Sequence, residues 1–163
     1  MILQYFKIKE NKYKIKADTI YLNILNKSKS LLNIKFFNEI DFKTSFELIS
    51  ILLIYHLNFF KKENIASKKK VNEELMKNLV NDLDNSLRDV GISDMSIGKY
   101  VKKYVKKFYY RLKVLDPIFE SDNYEELLNY LKFFKFVNKN NLNDLVNQLS
   151  KYFVQIKNNN ELN

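Results

Sequence analysis

Hydrophobic residues recur along this chain at intervals of three and four, the spacing that places them on one face of an α-helix. The clearest stripe has one residue in every four and consists of Val71, Leu75, Leu79, Leu83 and Leu87. Gly91 follows shortly after it, and helices commonly end on a glycine in the left-handed conformation. The pattern therefore predicts a helix over residues 71–90 that ends at Gly91.

The same spacing, combined with capping residues, predicts helices elsewhere. The run FELISILLIYHLNFF is apolar on almost every side, which is typical of the central helix of a bundle. Residues that accept hydrogen bonds from helix N-termini precede several of the segments. These expected caps are Asp18, Asp41 or Thr44, Ser93 or Ser96, and Asp122 with Glu125. The predicted helices cover 18–32, 41–62, 71–90, 93–115, 122–136 and 142–156.

The two ends of the chain lack this spacing. Lysines alternate with apolar residues near the start, which predicts a short β-hairpin or a flexible basic arm over residues 1–17. The polar tail at 158–163 is predicted to be disordered. Between the first two helices, a connector is expected to expose Phe36 and Phe37. The helical domain itself is expected over residues 18–157.

Composition narrows the fold class. The chain has 163 residues, of which 46% are hydrophobic, enough for the core of one ordinary domain. It contains 2 glycines and 1 proline, too few for the tight turns of a β-sandwich or the loops of a doubly wound α/β fold. We therefore predict an all-α, single-domain bundle of five to six helices with a basic N-terminal arm.

The chain is also poor in residues that carry out chemistry. It has no cysteine and 1 histidine, which excludes thiolate metal sites and a cysteine nucleophile and argues against a Ser-His-Asp triad. The single histidine, His56, lies in the most apolar segment and is expected to be half-buried in a helix. We predict a protein that is not an enzyme and has no metal and no cofactor.

Charge points to acidic partners. The chain carries 28 Lys and Arg against 19 Asp and Glu, a net charge of +9, which favours nucleic acid, a ribosome surface or anionic lipid. Much of it falls in SIGKYVKKYVKKFYYRLKVL, where an apolar stripe comprises Ile97, Val101, Val105, Phe108, Leu112 and Leu115. The opposite side carries the residues that we call the lysine face: Lys99, Lys102, Lys103, Lys106 and Lys113.

Two interpretations of the lysine face stay open. It is either a docking surface for the phosphates of RNA or of lipid headgroups, or an ordinary solvated helix face. Specific DNA recognition is not expected, since bidentate contacts to bases are made mainly by arginine.

The two arginines stand out in a chain that otherwise uses lysine. Arg88 and Arg111 suggest a need for forked hydrogen bonds to carboxylates. Asp84 precedes Arg88 by one helical turn, and Asp94 and Asp116 lie near the two arginines in sequence. We predict that these charges link the third and fourth helices across Gly91.

The stretch DLDNSLRDVGISDMSIGKYVKKYVKKFYYRL (82–112) resembles the ubiquinol-cytochrome c chaperone family. The family pattern joins an Arg-containing helix end to Gly, Asp and a Lys-rich helix that closes on an aromatic pair and Arg. Those features are here Asp84, Leu87, Arg88, Gly91, Asp94, Lys102, Lys103, Phe108, Tyr109 and Arg111. The segments IYLNIL and FELISILLIYHL resemble the family's first two helices, so the likeness spans about residues 18–135. One departure is Tyr110, where the family usually has Gly.

The resemblance implies a non-catalytic assembly chaperone that binds newly made cytochrome b while the cytochrome bc1 complex (complex III) is assembled. In mitochondria such proteins work with a small partner subunit, and association with the ribosome has been attributed to them. The aromatic residues then form either an apolar surface for the client protein or ordinary core packing. They are Phe36, Phe37, Phe133, Phe134 and Phe136.

Two other functions remain as alternatives, a basic helical nucleic-acid-binding protein and a bundle that binds lipid or quinone in a cavity. No secretory or import segment is evident, and the longest apolar run is too short to span a membrane. The expected location is the cytoplasm of a bacterium, peripheral to the inner membrane, or the matrix side of that membrane in a eukaryote.

Overall fold

A computed structural model describes the backbone of residues 2–61 and 66–161, and the side chains of 12–60 and 66–159. Within those residues the chain forms six α-helices and one short 3₁₀ turn, Lys139–Asn141. The prediction of an all-α bundle is thus confirmed. The helices are α1 (Ile2–Leu31), α2 (Phe42–Lys61), α3 (Ala66–Asp89), α4 (Asp94–Glu120), α5 (Tyr124–Lys132) and α6 (Leu142–Glu161).

Helix α2 forms the centre of the bundle, as its apolar sequence predicts. Leu52, Leu53 and Ile54 are completely buried, and α2 contacts α1, α3 and α4. Its Tyr55 ring stacks on Phe153 of α6 with ring centroids 3.8 Å apart. The α3 stripe of valine and leucines is buried as predicted, because it faces α1 and α4.

The N-terminal arm that the sequence suggested is not seen, since α1 begins at Ile2. Ala17 and Ile24 are fully buried, and Tyr13 packs against the same core. The buried stripe of α1 therefore starts before Asp18. The Asp18 carboxylate does not cap a helix; it accepts hydrogen bonds from Lys14 and from Asn78 of α3. Ile15, one of the apolar residues that alternate with lysine, is 57% exposed, so the alternation does not mark the buried side of α1.

Other boundaries also differ from the prediction: α3 begins at Ala66 rather than residue 71, and α5 ends at Lys132 rather than residue 136. Helix α4 continues through Pro117 to Glu120 rather than ending near residue 115. Asp122 has a positive φ of 51°, so the cap of α5 is Asn123, whose side chain accepts a hydrogen bond from the Glu126 backbone N–H. Helix α6 runs to Glu161 through most of the expected tail; residues 162–163 lie outside the described part.

The connector between α1 and α2 is anchored rather than exposed. The Asn38 N–H donates to the Phe136 carbonyl at 2.7 Å, and the Asn138 N–H donates to the Phe36 carbonyl at 2.8 Å. These paired bonds draw the connector onto the segment after α5. Phe36 and Phe37 are consequently buried, and the prediction that they are exposed was wrong.

Candidate functional site

The family-like residues at the junction of α3 and α4 meet around Gly91. The Gly91 N–H donates to the Arg88 carbonyl at 2.9 Å, and the Ile92 N–H donates to the Leu87 carbonyl at 3.0 Å. Gly91 has φ +92°, so these bonds form the glycine C-cap that the sequence predicted. Leu87 is buried beneath the turn. This cap sets the direction in which α4 leaves α3.

Arg88 spans the same junction by its side chain. Its Nε donates to the Asp84 carboxylate at 2.7 Å, and its Nη1 contacts the Asp94 carboxylate at the start of α4. The hydrogen bonds that Arg88 donates to the two aspartates raise its pKa. The predicted link between α3 and α4 is therefore present for this arginine.

Arg111 makes a different link. Its Nε and Nη2 donate to the two oxygens of Glu47 on α2 at 2.9 and 3.0 Å. Burial by itself lowers the pKa of Arg111. The hydrogen bonds to Glu47 and the charge of that carboxylate have the larger opposite effect, so the pKa is raised overall. The Phe134 ring lies 5.0 Å from the guanidinium carbon. The prediction that Arg111 joins α3 to α4 was wrong; it joins α4 to α2 and to the segment after α5.

Glu47 is the residue that sequence reasoning missed. Its side chain is 3% exposed and also contacts the Lys107 Nζ at 2.6 Å, so one buried carboxylate holds two cations. An acid inside an otherwise apolar helix was the available signal, since a buried carboxylate requires a cationic partner. The partner itself lies 64 positions away in the chain.

The lysine face is exposed, as predicted. All five of its residues are exposed, while Ile97, Phe108 and Leu115 are buried on the opposite side of α4. No acidic residue occurs between Met95 and Leu115. Within the described part of the chain, no member of the lysine face forms an ion pair. The result is a continuous positive surface more than three helical turns long.

Large apolar and aromatic side chains lie among these lysines. Tyr110 is 62% exposed and Met95 fully exposed, and both lie within the angular range of the lysine face on α4. Tyr109 is exposed beside them, whereas Phe108 is buried. The exposed side of α4 therefore carries aromatic and apolar groups as well as charge, and both interpretations of the lysine face stay open.

Only part of the predicted aromatic surface is available. Phe133, at the end of α5, is 88% exposed, whereas Phe134 and Phe136 are half-buried. The Phe134 and Tyr110 rings both lie beside the Arg111 guanidinium, at 5.0 and 5.7 Å. Arg111 therefore brings the segment that carries Phe133 next to the exposed side of α4.

One cavity among the described core residues adjoins Glu47 and is very small. The cavity bounded by Phe37, Glu47, Phe134 and six other core residues has a volume of about 10 Å³, space for one water at most. Among the described residues, no group of acids and histidine is arranged to hold a metal ion. His56 is buried more deeply than predicted, and burial lowers its pKa to about 4.

Within the part of the chain that the structure describes, no helix is long and apolar enough to cross a membrane. This agrees with the limit set by the length of the apolar run in α2.

Comparison with known proteins agrees with these features. The family model described as ubiquinol-cytochrome C chaperone matches residues 37–152. Among solved structures, the chain is similar to the Cbp3 homolog from Brucella abortus, with 26% sequence identity and a TM-score of 0.63. The match covers 80% of this chain and 72% of that one. No match was found among the curated proteins. Since the family model spans most of the helices described above, the chain belongs to the ubiquinol-cytochrome c chaperone family.

Proposed function

We propose that this protein is a non-catalytic chaperone that binds newly made cytochrome b while the cytochrome bc1 complex is assembled. The family match carries the proposal, because residues 37–152 include the Arg88 junction, the Arg111–Glu47 pair and the lysine face. Its similarity to the Cbp3 homolog, over most of both chains, supports the same role.

The lysine face is the proposed docking surface. Five exposed lysines bind phosphates through charge rather than through directed hydrogen bonds. Phosphates are present both on ribosomal RNA and on lipid headgroups, the two surfaces that adjoin a membrane protein during its synthesis. A chaperone held there, peripheral to the inner membrane, meets cytochrome b as its helices emerge.

The exposed aromatic residues are the proposed client contact. Unassembled membrane helices present apolar side chains that water solvates poorly, and exposed aromatic groups can cover them. Phe133 and Tyr110 lie on segments that Arg111 holds together, so one surface offers both aromatic contact and positive charge.

Gene deletion followed by complementation tests the role. Loss of the protein is expected to lower the amount of assembled cytochrome bc1 complex, measured by the absorbance of haem b and by native electrophoresis. Wild-type protein should restore it. Normal levels of the complex in the deletion strain would refute the proposal.

A matched pair of variants tests the surface. One replaces the five residues of the lysine face by Gln, and the control replaces five other exposed lysines: Lys12, Lys29, Lys43, Lys69 and Lys151. Both lose five charges, so only a specific docking role predicts failure of the first alone. Equal complementation by the two variants would contradict docking through α4.

Salt and sedimentation separate the two phosphate surfaces. Co-sedimentation with purified ribosomes or with anionic vesicles shows which one the wild-type protein binds and which binding the lysine-face variant loses. Binding to RNA through several phosphates should weaken steeply with salt, with a log–log slope of about −0.7 per phosphate on single strands. Binding to neither surface would contradict the docking proposal but leave the chaperone role to the deletion experiment.

A further inference from the structure

An open groove lies between α1 and α6. Helix α1 packs on α2, and α6 meets α2 through the stacked Tyr55 and Phe153 rings, but a space of about 670 Å³ remains between α1 and α6. Cavities of this size commonly hold small-molecule ligands. No residue of α4 lines the groove, so it is separate from the docking surface proposed above.

The polar rim of the groove is positive. Lys16 and Lys27 both line it, and among the described residues no carboxylate does. Neither lysine forms an ion pair within the described residues. The Lys27 Nζ lies 5.4 Å from the centre of the Tyr152 ring. Lys68 of α3 lies close to Lys16, since burial and then the charge of Lys16 lower the pKa of Lys68. An anion in the groove would therefore meet positive charge on Lys16 or Lys27 that no described carboxylate neutralises.

The floor of the groove is apolar. Phe60 of α2 and Ile156 of α6 are buried, and the Tyr152 ring is half-buried beside them. His56 also reaches the floor; its Nδ1 lies 2.9 Å from the Leu52 carbonyl, to which it donates. Burial keeps this imidazole uncharged at neutral pH, because its pKa falls to about 4. The floor therefore offers ring and aliphatic surface without a charge.

We propose that this groove binds an amphiphilic anion, a small molecule with a carboxylate or phosphate head joined to an apolar chain or ring. The two lysines lie eleven residues, about 16 Å, apart along α1, so one of them holds the head, and the floor formed by Phe60, Tyr152 and Ile156 covers the apolar part. The groove therefore discriminates against ligands that have only one of these two parts. A free inorganic anion leaves the apolar floor in contact with water, and an uncharged amphiphile leaves the lysines unpaired.

Titration of the full chain with four probes tests this selection. The probes are decanoate, decyl phosphate, uncharged 1-decanol and inorganic phosphate, followed by amide chemical shifts in NMR and by calorimetry. One of the two charged amphiphiles, as monomer, is expected to bind at least about tenfold more tightly than decanol or phosphate. The preferred head then distinguishes a fatty-acid source from a phosphate-bearing one. Binding of decanol with equal affinity, or of no probe, would overturn the proposal.

Variants locate the site. Lys16→Gln with Lys27→Gln should raise the dissociation constant about tenfold, whereas the control on the same helix, Lys12→Gln with Lys29→Gln, should leave it unchanged. Both control lysines are exposed and outside the groove. Thr19 is exposed and lines the groove, so Thr19→Trp should fill it and abolish binding while the helical circular dichroism is retained. Equal losses in the two lysine variants, or shifts confined to α4, would overturn the assignment.

Discussion

The two arginines of this chain hold ion pairs in opposite surroundings. Arg88 bridges Asp84 and Asp94 at the surface, where 86% of the Asp94 side chain is exposed. Arg111 makes a two-pronged contact to Glu47, whose side chain is 3% exposed. Each arginine connects two helices, but only the second neutralises a charge that water cannot reach.

This difference in burial determines how much the loss of one partner from each pair should change the free energy of unfolding. A surface pair competes with water and with salt, so it contributes little to the free energy of unfolding. A buried carboxylate that loses its partner is destabilising, because its charge is then neither solvated nor compensated. The Arg88 pair therefore adjusts the start of α4, whereas Arg111 compensates the charge of Glu47 that is buried where α4 packs on α2.

Removal of the Arg111 guanidinium is expected to have the largest effect. In Arg111→Met the side chain keeps much of its length, but Glu47 loses two charge-assisted hydrogen bonds. Unfolding by urea should show a loss of about 3 kcal/mol, at the lower end for a broken buried pair because Lys107 still contacts the carboxylate. An unchanged urea midpoint would contradict the structural role of this pair.

The control removes the buried charge together with its partner. Glu47→Leu with Arg111→Met leaves an apolar contact in the same place, and such replacements are often close to neutral. The double variant should therefore recover most of the stability that the single variant loses. If the loss in the double variant equals the sum of the losses in Arg111→Met and in Glu47→Leu alone, the residues do not act as a pair.

His56 isolates burial from ion pairing, since it lies on the same helix as Glu47 but has no carboxylate partner in the described hydrogen bonds. Its pKa is about 4 in the folded chain against about 6.5 when unfolded. Between these values the unfolded chain binds more protons, so the free energy of unfolding falls as the pH is lowered. The loss from this group should reach about 2 kcal/mol at pH 5 relative to pH 7.

Urea unfolding of the wild type and of His56→Gln at the two pH values measures this term. The variant keeps a polar side chain but cannot take up the proton, so it should show the smaller decrease. Protonation of carboxylates is common to both proteins and cancels in the difference. Parallel decreases would show that His56 is not kept neutral by the fold.

The glycine turn beneath Arg88 is expected to matter less than either buried group. A Cβ at Gly91 would have open space around it, but the φ of +92° is unfavourable for any residue with a side chain. Gly91→Ala should therefore cost about 1 kcal/mol through the backbone alone. Gly98 also has open space and lies inside α4, so Gly98→Ala should raise stability by about 0.5–1 kcal/mol. If Gly91→Ala and Gly98→Ala both raised or both lowered the free energy of unfolding, this explanation of the turn would be contradicted.

The partners of Arg88 could be predicted from the sequence, because they are its neighbours in the chain. The partner of Arg111 could not. Asp84, Arg88 and Asp94 lie within one helix end and the turn that follows, where helical spacing and the glycine cap determine what meets. Arg111 reaches a carboxylate on another helix, and only the packing of α4 on α2 decides that partner. Asp116, the acid nearest to Arg111 in sequence, did not predict the carboxylate to which Arg111 donates, which is Glu47.

The same distinction explains the other differences. The stripe of α3 and the lysine face of α4 follow from residue spacing alone, and both were predicted. The burial of Phe36 and Phe37 depends on backbone bonds to a segment about a hundred residues later, which no local pattern records. Alternating lysines predicted a hairpin or a flexible arm, and the helix that forms instead is packed on α3, which lies far away in sequence.

The smallest effect is expected at the exposed pair. In Arg88→Lys one ammonium replaces a planar fork that reaches two carboxylates through different nitrogens. The melting temperature should fall by less than in Gly91→Ala, and the difference from wild type should vanish in about 1 M salt, where charges are screened within about 3 Å. Arg111→Lys provides the matched change at the buried pair, and its loss should persist in the same salt because water and ions do not reach Glu47. If the Arg88 variant instead lost more stability than the Arg111 variant, or kept its loss in high salt, exposure would not be what separates the two pairs.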